Sequence, residues 1–525
     1  MEKKSEPKPP YFTASCSLLL STLFVFGFVF YGYFFWYLKG FSFFQSSKPE
    51  KITIVVKPSD NLAALLQRIE NSTILSLESG KYSGNFRLER KTGIEIWGTE
   101  STILESPNGI VLALEDCMDC SIEKLNIHGE DTKNPSLFLI GGQGIVLKNV
   151  VIKNPVQAIK IQTQSQRIAI QGSHISGQIK IENSSSIALE GNTLESSMEA
   201  PALAIEKAMK IELHKNKIQA KEGIFLKNIF SEENAINTIT QNMIDVTKNG
   251  LIMHDCRDFL LTWNEVSSEE VMAIGFLKCS GIVLGKSNFE NKIKTQHGYA
   301  LWIAGSKSLV VESSWFKNQD TEKKAVYVES SSDLQFLKNK IAGLALYEEG
   351  ILKELKGGGI QVSNTINLSL ETNSIQESQG GIRLEKVSQA VLSHNQIQNN
   401  LGNGMEVQNS QAIIGPSNTI SQNHTGIIFQ NSKGEILENS ILDNKEDGIL
   451  LENSSPKIHK NQISKNNDNG IRMKNNSSPS LLQNHFIQNK GFGICFSLQT
   501  VTVPWKAENF FEGNSKNPTD RMDTQ

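Results

Sequence analysis

Residues 253–258 read MHDCRD and set His254, Asp255, Arg257 and Asp258 side by side: a histidine, two carboxylates and one of only eight arginines in the 525-residue chain. Such a cluster can grip an anionic sugar through charge-assisted hydrogen bonds, and a solvated turn with local ion pairs uses the same residues. A second chemistry lies in the tryptophans. Trp263 stands one residue before Asn264, Trp315 one residue after Ser314, and Trp302 at the outward second position of its own repeat. Exposed rings of this kind stack against the apolar faces of sugars. Trp263 and Trp315 are expected on one strand column about 10 Å apart, with one repeat between them, and Trp302 on a different face. These seven residues are the candidate ligand-binding set, and no catalytic set stands out.

Metal chemistry finds less support. Ligands on a repeat protein would align in adjacent repeats, yet His394, His424, His459 and His485 take four different places relative to their repeat's asparagine. CMDC (Cys117–Cys120) is a lone C-x-x-C, open to a metal or a redox disulfide. Cys256 and Cys279 each fall six residues after Gly250 or Ala273, where other repeats carry Ser410, Ser432, Ser454 and Asn476. That column reads as a small residue at a turn. No metal and no cofactor is expected. A net charge of −3 with no dense Lys/Arg block leaves nucleic acid without an electrostatic footprint.

The elements that must position these residues follow from a repeat. Glycines recur at 359, 381, 404, 426, 448, 470 and 493, spaced 22 or 23 residues apart, a period that calls for a solenoid. An apolar residue follows each glycine, and another comes two positions later (Ile449 and Leu451, for example), the alternation of a strand with one buried face. Thirteen or fourteen residues after each glycine comes an asparagine, in the column Asn373, Asn395, Asn418, Asn439, Asn461 and Asn484. An apolar residue two places on marks a further strand. Stacked asparagines of this kind form amide ladders, and Gly448 and Gly470 mark corners where a side chain would crowd the next turn or φ is positive. Upstream the pattern loosens, pairing Gly250 with Asn264, Ala273 with Asn288, Ala300 with Ser314 and Ala325 with Asn339.

The reading is an all-β parallel solenoid of roughly 17–18 coils, about 80–85 Å long, spanning residues 52–512. An amphipathic helix starting near Ser59 or Asp60 caps it, and Pro504 and Trp505 close the far end. The gap from Ala325 to Gly359 is 34, some 12 over the usual period, and residues 341–359 supply the excess; Leu344, Tyr347, Ile351 and Leu355 would form one face of a short helix lying over the strands. Before the solenoid, 1–17 is a cytoplasmic segment, Leu18–Leu38 an uncharged run long enough to span a bilayer as a signal anchor, and 39–51 a linker; 513–525 is a flexible tail.

The opening block SDNLAALLQRIENSTILSLESGKYSG and the GI-x-h…N-x-I repeats resemble the right-handed parallel β-helix of the pectate-lyase-like superfamily, in particular its carbohydrate-binding, sugar-hydrolase and NosD-like small-repeat members. The resemblance implies right-handed coiling, as does the crossover rule for parallel strands. It also implies an extracytoplasmic solenoid behind the membrane anchor. The chain lacks the Asp-Pro-His-His run of alginate epimerases, the Gly-His-Gly of polygalacturonases and the Arg-x-Pro-x-x-Arg of pectate lyases. The leading expectation is therefore a membrane-anchored β-helix that binds a polysaccharide or another envelope component without catalysis. A divergent lyase or epimerase and a structural or adhesive rod are the alternatives, and oligomeric state stays open.

Overall fold

The computed structural model describes residues 51–231, 235–286, 290–348, 351–496 and 508–516. Each repeat winds into one turn of three strands. In the turn that begins at Gly448, an opening strand Ile449–Glu452 leads to a middle strand Lys457–His459 and a closing strand Gln462–Ser464. Middle strands stack into a 19-stranded sheet, and opening and closing strands together form a 34-stranded one. The chain is thus an all-β parallel solenoid of the right-handed type with about 19 turns, slightly more than expected, because Ile52–Val56 already pairs with the first middle strand, Thr73–Leu77.

Register follows the repeat: Ile427, Ile449, Ile471 and Ile494 stack in parallel on successive turns. Ile449, Leu451, Ile458 and Ile463 all point inward and are fully buried. A one-residue slip would turn such a column to water, so the alternation itself fixes the register. Gly448 is required by close approach, not by φ: a Cβ there would lie 2.7 Å from the carbonyl oxygen of Gly470 and from Ile463.

Each turn of the C-terminal repeats has three corners, and there each corner carries a polar ladder. Asn461 donates its backbone N–H and its Nδ2 to Asn484 Oδ1, at 3.0 Å each, and its own Oδ1 accepts the same pair from Asn439. This ladder continues through Asn264, Asn291, Ser314, Asn339 and Asn373. The upstream member is Asn291, not the expected Asn288, which lies outside the described residues. A second ladder, Asn400–Asn423–Asn444–Asn466–Asn489, follows the closing strands and went unread in the sequence. The third joins Ser410, Ser432, Ser454 and Ser477, taking Ser477 where Asn476 was expected. Buried amides are costly unless paired, and stacking identical side chains pairs them.

At the start, helix Leu62–Arg68 buries Leu62 and Leu66 against the first turns. Its N-cap is Asn61, one residue beyond the expected start, whose side chain accepts from Ala64 N–H; Asp60 instead accepts from Lys57 N–H. At the far end pairing reaches Lys516, which bridges Phe492, so the described solenoid passes the expected boundary at 512. Pro504, Trp505 and the Leu18–Leu38 run lie outside the described residues, and no helix within them is long and apolar enough to cross a membrane.

The insertion is not a helix. Lys340–Glu348 and Ile351–Gly357 form an antiparallel hairpin, Leu344 opposite Lys356 and Leu346 opposite Glu354. The chain enters the insertion already extended, because Lys340–Ala342 pair in the solenoid sheet, and a run that fits either period takes the one its anchored end imposes. Leu355 is buried, at 3% exposure.

Candidate functional site

The expected ligand set is divided among three places. Trp263 sits not on a strand but at the corner between middle strand Arg257–Thr262 and closing strand Glu265–Ser268. Its φ is +59°, and it is 48% exposed. Trp315 opens closing strand Trp315–Asn318, facing a cleft of about 430 Å³ lined also by Lys294, Lys317, Glu265 and Asp245. Trp302 lies on the opening strand Tyr299–Ala304, a different face.

The MHDCRD residues do not converge. His254 ends an opening strand with its Nδ1 2.7 Å from an Asp255 carboxylate oxygen. Past the corner, Arg257 lies over the Phe230 ring at 5.4 Å, and Asp258 accepts a 2.9 Å hydrogen bond from Ser231. They are local corner contacts, and Asp258 faces a cleft lined also by Ser231, Gly281 and Lys286.

Trp302 is the member around which a site is built. On the outward face of the opening strands Phe225, Ile252, Gly275, Trp302 and Tyr327 stand in register on successive turns. Tyr299, on Trp302's own strand, stacks on Tyr327 with ring centroids 5.1 Å apart and lies 6.3 Å from Trp302. Such pairs hold a preferred geometry worth about 0.5–1.5 kcal/mol beyond burial. Glu329 ties two of the rings, accepting from Trp302 Nε1 at 3.2 Å and Tyr327 Oη at 3.4 Å.

The chain between Asn318 and Val326 overhangs this ribbon. Lys323 Nζ lies 5.4 Å above the Tyr299 ring, a cation–π distance. Asp320 fixes the overhang: its carboxylate accepts from the N–H groups of Gly298, Glu322 and Lys323 at 2.7, 2.8 and 3.1 Å. Burial works against its charge, yet those donors hold the carboxyl below its ordinary value. Burial raises the Tyr299 and Tyr327 phenols, which therefore stay neutral at ordinary pH. The result is a three-ring apolar surface with hydrogen-bonding groups at its margins, which suits ring stacking better than proton transfer. Tyr299 and Tyr327 are not among the expected set, although the sequence carries a signal for one of them: Tyr327 follows Ala325 at the same outward place as Trp302 after Ala300.

The cysteines are structural. Cys117, Cys120, Cys256 and Cys279 are at most 2% exposed, and each thiol donates to a carbonyl of its own turn and to one of the turn before, as for Cys279 to Leu277 at 3.4 Å and Met253 at 3.3 Å. Cys279 N–H continues to Ser306, in the serine ladder's place.

A parallel β-helix with an aromatic ribbon on its opening-strand face is the class of protein that this geometry defines. The family described as periplasmic copper-binding protein (NosD) matches residues 67–345 and 343–524. The chain belongs to that family. No curated protein matches it in sequence. Solved structures similar to it include the A-module of the Azotobacter vinelandii mannuronan C-5 epimerase AlgE6, at 9% identity over 88% of this chain and 94% of that one with a TM-score of 0.26. Another is PfbA, a surface adhesin of Streptococcus pneumoniae, at 12% identity over 88% and 89% with a TM-score of 0.27. The alginate lyase AlyF-OU02, in complex with G6, matches at 10% identity over 71% and 86% with a TM-score of 0.32. At these scores the likenesses carry no functional argument.

The family description raises copper, and the described residues do not fit it. Copper ligands must be deprotonated and convergent. No group of three or more His, Cys, Asp or Glu side chains among the described residues could hold a metal. Each buried thiol pair shares one contact that pushes Cys120 and Cys256 up and draws Cys117 and Cys279 down, and among the described residues neither pair has a third ligand beside it.

Proposed function

We propose that the protein is an extracytoplasmic β-helix that binds a polysaccharide or another cell-envelope component without catalysis, held at a membrane by Leu18–Leu38. The observation that carries the reading is the ribbon of Tyr299, Trp302 and Tyr327, three rings fixed by stacking and by Glu329 on a rigid sheet. Rigid aromatic area binds sugar rings at little entropic cost. Placement outside the cytoplasm is supported by the periplasmic description of the family and by the uncharged length of residues 18–38.

The test is a panel of purified envelope glycans titrated against the full chain. Trp302→Ala and Tyr327→Ala are expected to weaken binding by about tenfold or more, on the order of 1.4 kcal/mol, with melting lowered by no more than about 3 °C. Removal of residues 1–51 should release the protein from membranes; its retention there would contradict the anchor.

A divergent lyase or epimerase has one observation in its favour. The Trp315 cleft brings Asp245, Glu265 and Glu269 beside Lys292 and Lys294 on three successive turns, carboxylates and a base of the kind such chemistry uses. Release of unsaturated sugar ends, abolished by Lys294→Ala, would replace the binding reading with this one.

A further inference from the structure

Beyond Tyr327 the outward row changes from aromatic to charged. Tyr327 is followed in register by Gln361, Arg383 and Glu406. Lys324, three residues before Tyr327, reaches along the solenoid in the same direction. Its Nζ stands 3.0 Å from where a Cβ on Gly380 would sit, although Gly380 precedes the opening strand two turns further on. The turn between them carries Gly357, Gly358 and Gly359, which leave no side chain in the way. A Cβ on Gly358 would lie 2.0 Å from Ser378 Oγ, and its φ is +75°, so this path is set by the backbone.

The two cations at the end of this path are incompletely neutralised. The Lys324 ammonium is partly buried and has no hydrogen-bond or ion-pair partner among the described residues. Burial pushes its pKa down, with the Glu406 carboxylate opposing that and Arg383 adding to it. Arg383 donates to Gln408 at 3.1 Å and stands 3.7 Å from Glu406 and 3.9 Å from Glu385, but its Nε is buried without a partner. Glu406 is itself shared, accepting from Asn403 at 2.6 Å. A desolvated ammonium and an orphaned N–H are costly unless a partner completes them, and an anion placed between Lys324 and Arg383 would complete both.

We infer that Lys324 and Arg383 form the acid-group subsite of the aromatic ribbon, which takes an anionic oligosaccharide. Its rings lie on Trp302 and Tyr327, and its carboxylate, sulfate or phosphate sits between the Lys324 ammonium and the Arg383 guanidinium. Two turn spacings separate Tyr327 from Arg383, about 10 Å, so the ligand has more than one sugar. The inference rests on the glycan-binding reading and adds the charge of the ligand to it. It also moves the anion-binding role expected at His254, Asp255, Arg257 and Asp258 to residues in a different part of the solenoid.

The test titrates the full chain with matched oligosaccharides, one neutral and the others bearing carboxylate, sulfate or phosphate on the same backbone. Acidic members are expected to bind more tightly and to weaken as salt rises. Lys324→Met and Arg383→Gln should each weaken acidic ligands roughly tenfold, the scale of one charge-assisted hydrogen bond, while leaving neutral ones unchanged. Neither variant breaks a buried ion pair shorter than 3.7 Å, so their melting temperatures should hold, which separates lost binding from lost fold. Comparison of the three acid groups names the anion. Equal binding of neutral and acidic members, or acidic binding insensitive to both variants while Trp302→Ala abolishes it, overturns the inference and leaves the glycan reading standing. Absence of binding to every member overturns both.

Discussion

Asn461 makes the repeat's chemistry measurable at one residue. Its side chain donates to Asn484 Oδ1, Ile436 O and His459 O and accepts twice from Asn439, all inside the wall. Asn461→Ala leaves those partners unsatisfied and should cost about 1–3 kcal/mol, read as a lower melting temperature with glycan binding unaltered. Unchanged melting with lost binding would reverse the assignment. This column was legible because one period carried it, and the ladder through Asn444 and Asn466 was missed because its spacing was never tracked from the same glycines. Asn288 was taken for Asn291 because that turn is longer than its neighbours. A surface residue offers a pH test. Lys248 and Lys221, at 2.6 and 2.9 Å, hold the Glu199 carboxyl down to about 2, against an ordinary 4.5. A depressed carboxylate contributes stability above its unfolded pKa, so the contribution is full above about 4.5 and is lost as pH falls toward 2. The melting difference between wild type and Glu199→Gln should shrink over that window; a constant difference would show that the pair is not formed in solution.

Among the elements, the hairpin Lys340–Glu348 and Ile351–Gly357 shows where pattern reading stops. The apolar positions of LALYEEGILKEL fit a helical face as well as an alternating one, and the decision came from the flanking sheet, which sequence does not display. Its neighbours already pair without it, Val326 on Ile360 and Ile341 on Ile375. Excising residues 344–355 reduces the spacing from Ala325 to Gly359 from 34 to 22, and should shift the melting temperature by no more than about 1 °C, the effect of roughly 1 kcal/mol in a chain of this size. A much larger drop would make the hairpin part of the core. The tryptophans teach the same lesson: their outward direction was readable from parity, but which ones share a face depends on corners. A corner placed Trp263 off the strand column that carries Trp315, while Trp302 lies on the separate face expected for it.

For the whole molecule, the solenoid's regularity explains why its architecture was legible and its site was not. Repeated glycines, inward apolar pairs and asparagines specify stacking everywhere along the axis, so they say little about any one place on it. What distinguishes the site is departure from the repeat: Trp302 and Tyr327 where other turns carry Gln361, Arg383 or Glu406, Tyr299 stacked beside them, an overhang pinned by Asp320, and three consecutive glycines. The measurement that bears most directly on the account is the affinity of wild type and Trp302→Ala for a panel of envelope polysaccharides, with melting curves alongside. The account predicts that wild type binds at least one polysaccharide and that Trp302→Ala loses about tenfold or more of that affinity with melting lowered by no more than about 3 °C. Binding by the variant equal to wild type, or no binding by either, would contradict it.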